Sequence, residues 1–313
     1  MSDIGQDTLV RPTPQTQASA RAAARDRPGE AGRSAASWRR TARGIAAQLS
    51  VLDALAAVFV LLLVIAIVAP RLLVGYDPLA AAEGHTLEAP SLHHIFGTDY
   101  LGRDLYSRLV HGTSATLSAS AVALIVGLVG GILLGIVSGY LGGWVDSIIS
   151  RVIDVLLSVP GLLLSMVIVV ALGFGAVNAA IAVGVSSIAS FSRITRSEVL
   201  RTRTSAFVEA AQHQGSSRVR TLVQHILPNS LGPVFSLIPL HFGGAIIWIS
   251  SLSFLGFGAV PPKPEWGLLV AEGRQYLLAA PWLLLIPGLV IVITVLSISR
   301  LQHLASALRK ALS

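Results

Sequence analysis

The chain has 313 residues, of which 53% are hydrophobic and 12% are charged. Soluble domains carry about 25% charged residues, so the composition indicates an integral membrane protein. The formal net charge of +7 is first a matter of membrane topology, and we expect no nucleic-acid partner. The absence of cysteine excludes a disulfide framework and a thiolate metal site, and we expect no bound metal.

The N-terminal tail, residues 1–48, precedes the first apolar run. Residues 1–35 are rich in Ala, Arg, Pro, Gln and Ser without a periodic apolar face, which predicts disorder. Between Trp38 and Leu49, arginines alternate with apolar residues, which favours a short amphipathic helix at the membrane interface. The apolar run that follows exceeds the roughly 7–15 residues of a signal-peptide core, so we expect an uncleaved anchor.

Six apolar runs are long enough to cross a membrane, which takes about 20 residues as a helix. Backbone groups in lipid must be satisfied internally, so each run is predicted to be helical. We therefore expect an all-α membrane protein with a six-helix permease domain over residues 49–313. The predicted spans lie at about 51–69, 114–138, 147–172, 175–192, 231–257 and 281–299.

Basic residues predict the orientation of these spans. Five of the 23 Lys and Arg residues lie in the segments 70–113 and 258–280. The other 18 lie in the two tails, in the segment 193–230 and at Arg151. Because basic residues collect on the cytoplasmic side, both termini and residues 193–230 are predicted to be cytoplasmic. Residues 70–113 and 258–280 are then external.

Four glycines recur at every fourth position of the second span: Gly127, Gly131, Gly135 and Gly139. On a helix they form a stripe without side chains, which predicts close packing against another helix. The pattern leaves open whether that helix belongs to this chain or to a second subunit.

Few ionisable groups lie inside the predicted spans. His241 is the only one well inside, and it is either a hydrogen-bonded histidine of the bundle or a residue that lines a pore. The spans hold no pair of carboxylates, which disfavours an ion-driven carrier. Pro160, Pro239 and Pro287 interrupt spans, and each can kink its helix.

Residues 205–230 have the pattern of two short helices joined by a turn. Ser205 is predicted to cap the first helix, and Gly215 stands at the left-handed position that ends it. Ser216 or Ser217 is predicted to cap the second helix, and Pro228 to disrupt it near its end.

The first of these helices carries a low ridge. Ala210 and Ala211 leave it flat, and Phe207 and Gln214 flank it at helical spacing. Such a ridge fits a groove on a soluble partner. The alternative is a solvated loop that its arginines hold near acidic lipids.

The same residues resemble a known motif. Glu209-Ala210-Ala211, three residues, Gly215 and, thirteen positions later, Pro228 resemble the EAA loop of permease subunits of bacterial ATP-binding-cassette importers. This chain departs from the usual pattern at His225, where the family generally has Ile. The resemblance implies a coupling helix whose predicted contact residues are Phe207, Glu209, Ala210, Ala211, Gly215, Leu227 and Pro228.

A second stretch, residues 94–108, resembles the external segment of DppC/OppC-type permeases of dipeptide and oligopeptide importers. Its motif residues are Gly97, Thr98, Asp99, Gly102, Arg103, Asp104 and Arg108. The carboxylates are predicted to accept bonds from backbone amides or from the two arginines. Residues 261–267 resemble the family's segment before the last span, with Trp266 expected at the membrane interface. With residues 71–112, this stretch is a candidate surface for a binding protein.

The resemblance implies a type I importer (MetI-like) permease fold in the bacterial inner, or cytoplasmic, membrane. It implies a homologous DppB/OppB-type permease, two ATPase subunits and an extracytoplasmic substrate-binding protein as partners. ATP and Mg would be bound by the ATPases, since neither Lys263 nor Lys310 stands in a phosphate-binding loop. Di- and oligopeptides are the expected substrates; nickel, haem and glutathione stay open. The alternative of a different class is a membrane-embedded enzyme.

Overall fold

The computed structural model describes residues 50–81 and 84–312. The predicted tail, residues 1–48, lies outside the described residues. Residues Leu52–Arg309 form one compact unit. In the described part of the chain the secondary structure is helical, and the only strand-like pairing is a single bridge between Thr98 and Asp104. The prediction of an all-α protein is confirmed.

Eleven α-helices, one short 3₁₀ turn and one π-helical turn lie in the described ranges. In chain order they are α1 (Val51–Val68), the 3₁₀ turn (Pro70–Leu72), α2 (Leu105–Leu141), α3 (Gly143–Ser158), α4 (Gly161–Leu172), α5 (Ala176–Arg203), α6 (Ala206–His213), α7 (Arg218–Thr221), the π turn (Leu222–Ile226), α8 (Leu227–Ser236), α9 (Ile238–Phe254), α10 (Trp266–Arg274) and α11 (Trp282–Leu312).

The described residues contain four helices that are long and apolar enough to span a membrane alone: α1, α2, α5 and α11. Two bent helix pairs also have the length and apolar composition of a span. The first pair, α3 and α4, bends by 96°, and the pair formed by Arg218–Ser236 and α9 bends by 47°. Counting each bent pair as one span gives the six that the sequence predicts.

Pro160 accounts for the sharper bend. A residue before proline is disfavoured in the helical region, and Val159 is extended, with φ −90° and ψ 130°. The interruption predicted here is therefore a full break between α3 and α4. Pro239 instead stands in the first turn of α9, and Pro287 lies within α11. The predicted interruption at Pro239 therefore coincides with the 47° bend between α8 and α9, whereas α11 continues through Pro287.

The glycine stripe of α2 packs against α5 of the same chain. A Cβ added at Gly127, Gly131, Gly135 or Gly139 would meet residues of α5, namely Ser187, Phe191, Thr195 and Val199. At Gly135 the added atom would lie 2.5 Å from the Cβ of Thr195 and 2.9 Å from the backbone nitrogen of Arg196. The neighbour that the sequence left open is therefore a helix of this chain.

The apolar core has two main parts within this unit. Alanines of α2 and α5 pack with α4 and α9, where Val169 and Leu252 are fully buried. Leu105, Ile246 and Trp266 form the second part with α1 and α11. Many large apolar side chains of α1, α2 and α11 remain exposed, as expected for surfaces that face lipid.

Polar contacts join the ends of several helices. Asp146 of α3 accepts two hydrogen bonds from the Arg196 guanidinium of α5, at 2.5 and 2.7 Å. Arg300 of α11 donates to Asp53 of α1 at 2.7 Å. These pairs fix α3 to α5 and α1 to α11 at the level where their apolar runs end.

His241 packs on an aromatic ring. Its centroid lies 4.1 Å from that of Phe191, and the side chain is half-buried. Within the described residues its ring nitrogens make no hydrogen bond, so the hydrogen-bonded arrangement is not the one found.

Candidate functional site

The segment that carries the EAA motif, residues 205–230, is held to the helical bundle by a small apolar anchor. We call residues 205–230 the EAA segment. Val208 of α6 and Ile226 are fully buried against Val199 of α5. Tyr140 at the end of α2 and Leu222 pack around them. One face of α6 is thereby fixed to both α2 and α5.

The opposite face of α6 is open. Phe207 is 48% exposed, and Glu209 and Ala210 are exposed, while Ala211 is half-buried. An exposed phenyl ring beside an alanine gives a surface with one large apolar contact and a flat step. These four positions are motif residues of the sequence prediction, and the structure brings them together on one short helix.

Gly215 ends α6 in the geometry that the sequence predicts. Its φ is +84°, and its N–H donates to the carbonyl of Gln212 at 3.0 Å. The N–H of Ser216 reaches back to the carbonyl of Ala211 at 3.1 Å. The two bonds form a Schellman motif, which requires a left-handed residue at this position. No atom lies within 4 Å of an added Cβ, so the demand for glycine comes from the backbone angle.

The structure corrects the first predicted helix cap of the EAA segment and identifies the second. Ser205 occupies the N-cap position, but its hydroxyl donates to the carbonyl of Thr202 at 2.6 Å and caps nothing. Of the two candidates for the second cap, Ser217 accepts the N–H of Arg220 at 3.4 Å.

Pro228 was predicted to disrupt the second helix, and it does not. The N–H of Leu227 donates to the carbonyl of Leu222, five residues back, so a π turn precedes the proline. Proline is tolerated in the first turn of a helix because the N–H it lacks has no partner there. Pro228 stands in the first turn of α8, and the chain stays helical to Ser236. The motif residue Leu227 is half-buried and Pro228 is exposed.

The second motif, residues 94–108, folds into a compact turn at the N-terminal end of α2, whereas the EAA segment packs near the C-terminal end. We call residues 94–108 the GTD segment. Gly97 and Gly102 have φ of +77° and +75°, and the backbone of Thr98 pairs with that of Asp104. An added Cβ at Gly97 would lie 2.8 Å from the indole nitrogen of Trp282, so a side chain is excluded there by space as well.

Two carboxylates organise the GTD segment. Asp104 caps α2, accepting the N–H of Ser107 at 2.7 Å, and its other oxygen lies 2.9 Å from Nδ1 of His94. This cap explains why α2 begins at Leu105, earlier than the predicted span. Asp99 accepts the N–H of Leu101 at 2.8 Å.

The buried centre of the segment is an ion network. Oδ2 of Asp99 accepts from Nε of Arg103 at 2.7 Å and from Nη1 of Arg108 at 2.6 Å. Nη1 of Arg108 also donates to Glu272 of α10 at 2.8 Å. The side chains of Arg108 and Asp99 are 1% and 4% exposed. The sequence predicted the pairing of aspartate and arginine but missed Glu272, since no local pattern in α10 points to a residue 164 positions away.

Trp266 was predicted at the membrane interface, and this prediction is wrong. The residue is fully buried, and its indole N–H donates to the carbonyl of Leu109 at 3.0 Å. Glu265 precedes it and caps α10, accepting the N–H groups of Gly267 and Leu268 at 3.0 and 2.9 Å. The residue pair locks α10 onto α2. An acidic residue directly before an apolar helical run was a usable sequence signal for this cap.

Comparison with known proteins agrees with this architecture. Residues 131–309 match the family described as "Binding-protein-dependent transport system inner membrane component". The dipeptide transport system permease protein DppC of Alkalihalophilus pseudofirmus is 37% identical over 234 residues, covering 75% of this chain and 77% of that protein. The glutathione transport system permease protein GsiD of Shigella flexneri is 41% identical, covering 79% and 82%.

Solved structures share the fold. A chain of the MetNI methionine ABC transporter in an inward-facing conformation has a TM-score of 0.54 at 18% identity, covering 66% of this chain and 97% of that one. An amino acid ABC transporter crystallised with histidines has a TM-score of 0.53 at 16% identity, covering 64% and 92%. With the matched family and these relatives, the chain belongs to the inner membrane components of binding-protein-dependent transport systems and is a multi-pass permease component of an ABC importer.

Proposed function

We propose that this permease forms half of the translocation path of an importer for di- and oligopeptides, and that it is driven by ATPase subunits that dock on α6. The observation that supports the docking is the geometry of α6. Val208 anchors one face while Phe207 and Ala210 stand exposed on the other. A helix that is fixed to α2 and α5 transmits a push to both, which a free loop cannot do.

The docking is tested with Gly215→Val in the assembled complex. A β-branched residue is strained at a φ of +84°, so the Schellman motif opens and α6 loses its end. We expect the variant to insert and to bind the second permease, and to lose uptake driven by ATP. Gly215→Asn is the matched control, because asparagine tolerates the left-handed region, and it should retain most uptake.

A second variant separates docking from folding. Ala210→Trp places a large side chain on the exposed ridge, where it has room in the isolated chain. It should abolish co-purification of the ATPases while leaving the thermal stability of the chain unchanged. ATPase binding at the wild-type level in Ala210→Trp, or full uptake by Gly215→Val, would contradict the coupling role.

The substrate class is proposed from the relatives. DppC and GsiD are named for dipeptide and glutathione transport, and glutathione is itself a tripeptide. In a deletion strain that carries the wild-type chain and its partners, we expect uptake of labelled di- and tripeptides. Glutathione, nickel and haem are measured in parallel. Restoration of nickel or haem uptake alone would replace the peptide assignment and keep the permease role.

The orientation is proposed from the basic residues, with both termini and the EAA segment in the cytoplasm. The chain has no cysteine, so single cysteines report on one site each. Leu92 is fully exposed in the segment between α1 and α2. A membrane-impermeant maleimide added to intact cells should label Leu92→Cys and should label Val219→Cys, an exposed position of the EAA segment, only after lysis. The reverse pattern would invert the topology.

A further inference from the structure

A cavity of 560 Å³ lies between the end of α2 and the EAA segment. Its lining combines an aromatic ring, one apolar side chain and four polar or basic groups: Tyr140, Leu141, Arg203, Gln212, Ser216 and Arg218. The cavity is separate from the exposed ridge of α6. Gln212 stands four residues after the buried Val208 and so shares its side of the helix, away from Phe207 and Ala210.

Two arginines of this cavity carry uncompensated charge. Within residues 50–81 and 84–312, neither Arg203 nor Arg218 forms an ion pair, and no lining residue is acidic. Other arginines of the same region are neutralised: Arg201 pairs with Glu198 at 2.7 Å, and Arg196 with Asp146 at 2.5 Å.

Tyr140 holds the two arginine-bearing segments together. Its carbonyl accepts from Nη1 of Arg203 at 3.0 Å, and its hydroxyl donates to the carbonyl of Arg218 at 2.6 Å. The first contact occupies one guanidinium nitrogen of Arg203, and the second involves only the backbone carbonyl of Arg218. Most of the guanidinium donors therefore stay available to a ligand in the cavity.

Gln212 adds a neutral donor to the cavity. Its side chain is exposed, and its amide can donate to an oxygen that lies beside the two guanidinium groups. Two guanidinium groups and the amide of Gln212 together are a donor set for a phosphate oxyanion.

The surroundings of the cavity place it at the membrane surface. Leu141 in its wall is 60% exposed, and Trp144, three residues later, is 75% exposed. Tryptophan is enriched at the level of lipid head groups, and exposed leucine there faces acyl chains. Basic pockets at the ends of spanning helices on the cytoplasmic side bind anionic head groups.

We propose that this cavity binds the phosphate group of an anionic phospholipid, such as phosphatidylglycerol, from the leaflet that faces the EAA segment. Arg203 and Arg218 contact the phosphate, Gln212 donates to one of its oxygens, and Leu141 and Trp144 lie beside the acyl chains. The site joins the end of α2 to the EAA segment, so a bound lipid braces the anchor of α6. The inference does not depend on which substrate is transported.

The test is native mass spectrometry of the full-length chain in detergent, titrated with phosphatidylglycerol, phosphatidylcholine or inorganic phosphate. The test variant is Arg203→Gln/Arg218→Gln, and the matched control is Arg201→Gln/Arg220→Gln. Both remove two positive charges from the same two segments, but only the first pair lines the cavity. Arg203→Lys/Arg218→Lys keeps the charge and checks that loss does not come from misfolding.

We expect phosphatidylglycerol to bind the wild-type chain and to be weakened roughly fivefold for each cavity arginine removed. The control pair and the lysine pair should bind nearly as the wild type does. Equal loss in both glutamine pairs would show a diffuse charge effect and overturn the site. Binding of inorganic phosphate without preference for phosphatidylglycerol would overturn the lipid as the source. Unchanged binding of phosphatidylglycerol by Arg203→Gln/Arg218→Gln would also overturn the site.

Discussion

Replacing Arg108 by methionine tests whether the buried ion network holds the GTD segment to α10. The four side chains Asp99, Arg103, Arg108 and Glu272 balance two negative against two positive charges. Methionine fills much of the space of the arginine stem but leaves one uncompensated negative charge. Because Arg108 is 1% exposed and Asp99 is 4% exposed, water cannot easily replace the lost partner.

Breaking a buried ion pair by removing one partner costs about 3–5 kcal/mol. We expect Arg108→Met to lower the free energy of unfolding by that amount. The double variant Arg108→Met/Glu272→Met restores neutrality and leaves Asp99 paired with Arg103. One carboxylate oxygen of Glu272 is already buried without a hydrogen bond, so its removal also relieves a cost. The double variant should therefore be more stable than the single by about 1–3 kcal/mol.

The assay is unfolding by a denaturing detergent, followed by circular dichroism of the purified chain. Arg201→Met is the matched control, because its ion pair with Glu198 is 64% exposed on the arginine side and should contribute little. A double variant no more stable than Arg108→Met would refute the reasoning from charge balance. A single variant within about 1 kcal/mol of the wild type would show that the network stabilises nothing.

Variants at two further positions probe the packing of α2 and the cap of α10. Gly135→Val would drive its side chain into Thr195 and the backbone of α5. Overpacking of this kind costs about 1–3 kcal/mol, which the same unfolding assay should show. Gly232→Val is the control, because a side chain there enters open space. Glu265→Ala would remove the carboxylate that caps α10 and leave the N–H groups of Gly267 and Leu268 buried without an acceptor, which should cost about 2–4 kcal/mol. Glu265→Gln keeps an acceptor and should cost less than half of that. Equal stability of the two Glu265 variants would contradict the capping role.

Local signals in the sequence were sufficient wherever one segment satisfies its own requirements. The left-handed Gly215, the pairing of Asp99 with Arg103 and the six apolar runs all follow from residues a few positions apart. Errors arose where a distant element competes. Trp266 has the composition of an interfacial residue, but Leu109 of α2 offers its indole an acceptor inside the bundle. The error at Pro228 has a local cause instead, because the π turn just before it places the proline in the first turn of α8.

The sequence by itself determined that this is a helical membrane protein with the motifs of an importer permease, because hydrophobic run length, charge asymmetry and turn residues act over short distances. Only the tertiary structure decided which surfaces meet. It placed the glycine stripe of α2 on α5, brought Glu272 to Arg108, and set Arg203 and Arg218 around one cavity. Contacts between separate helices depend on how the helices pack, and no local pattern of residues specifies which helices meet.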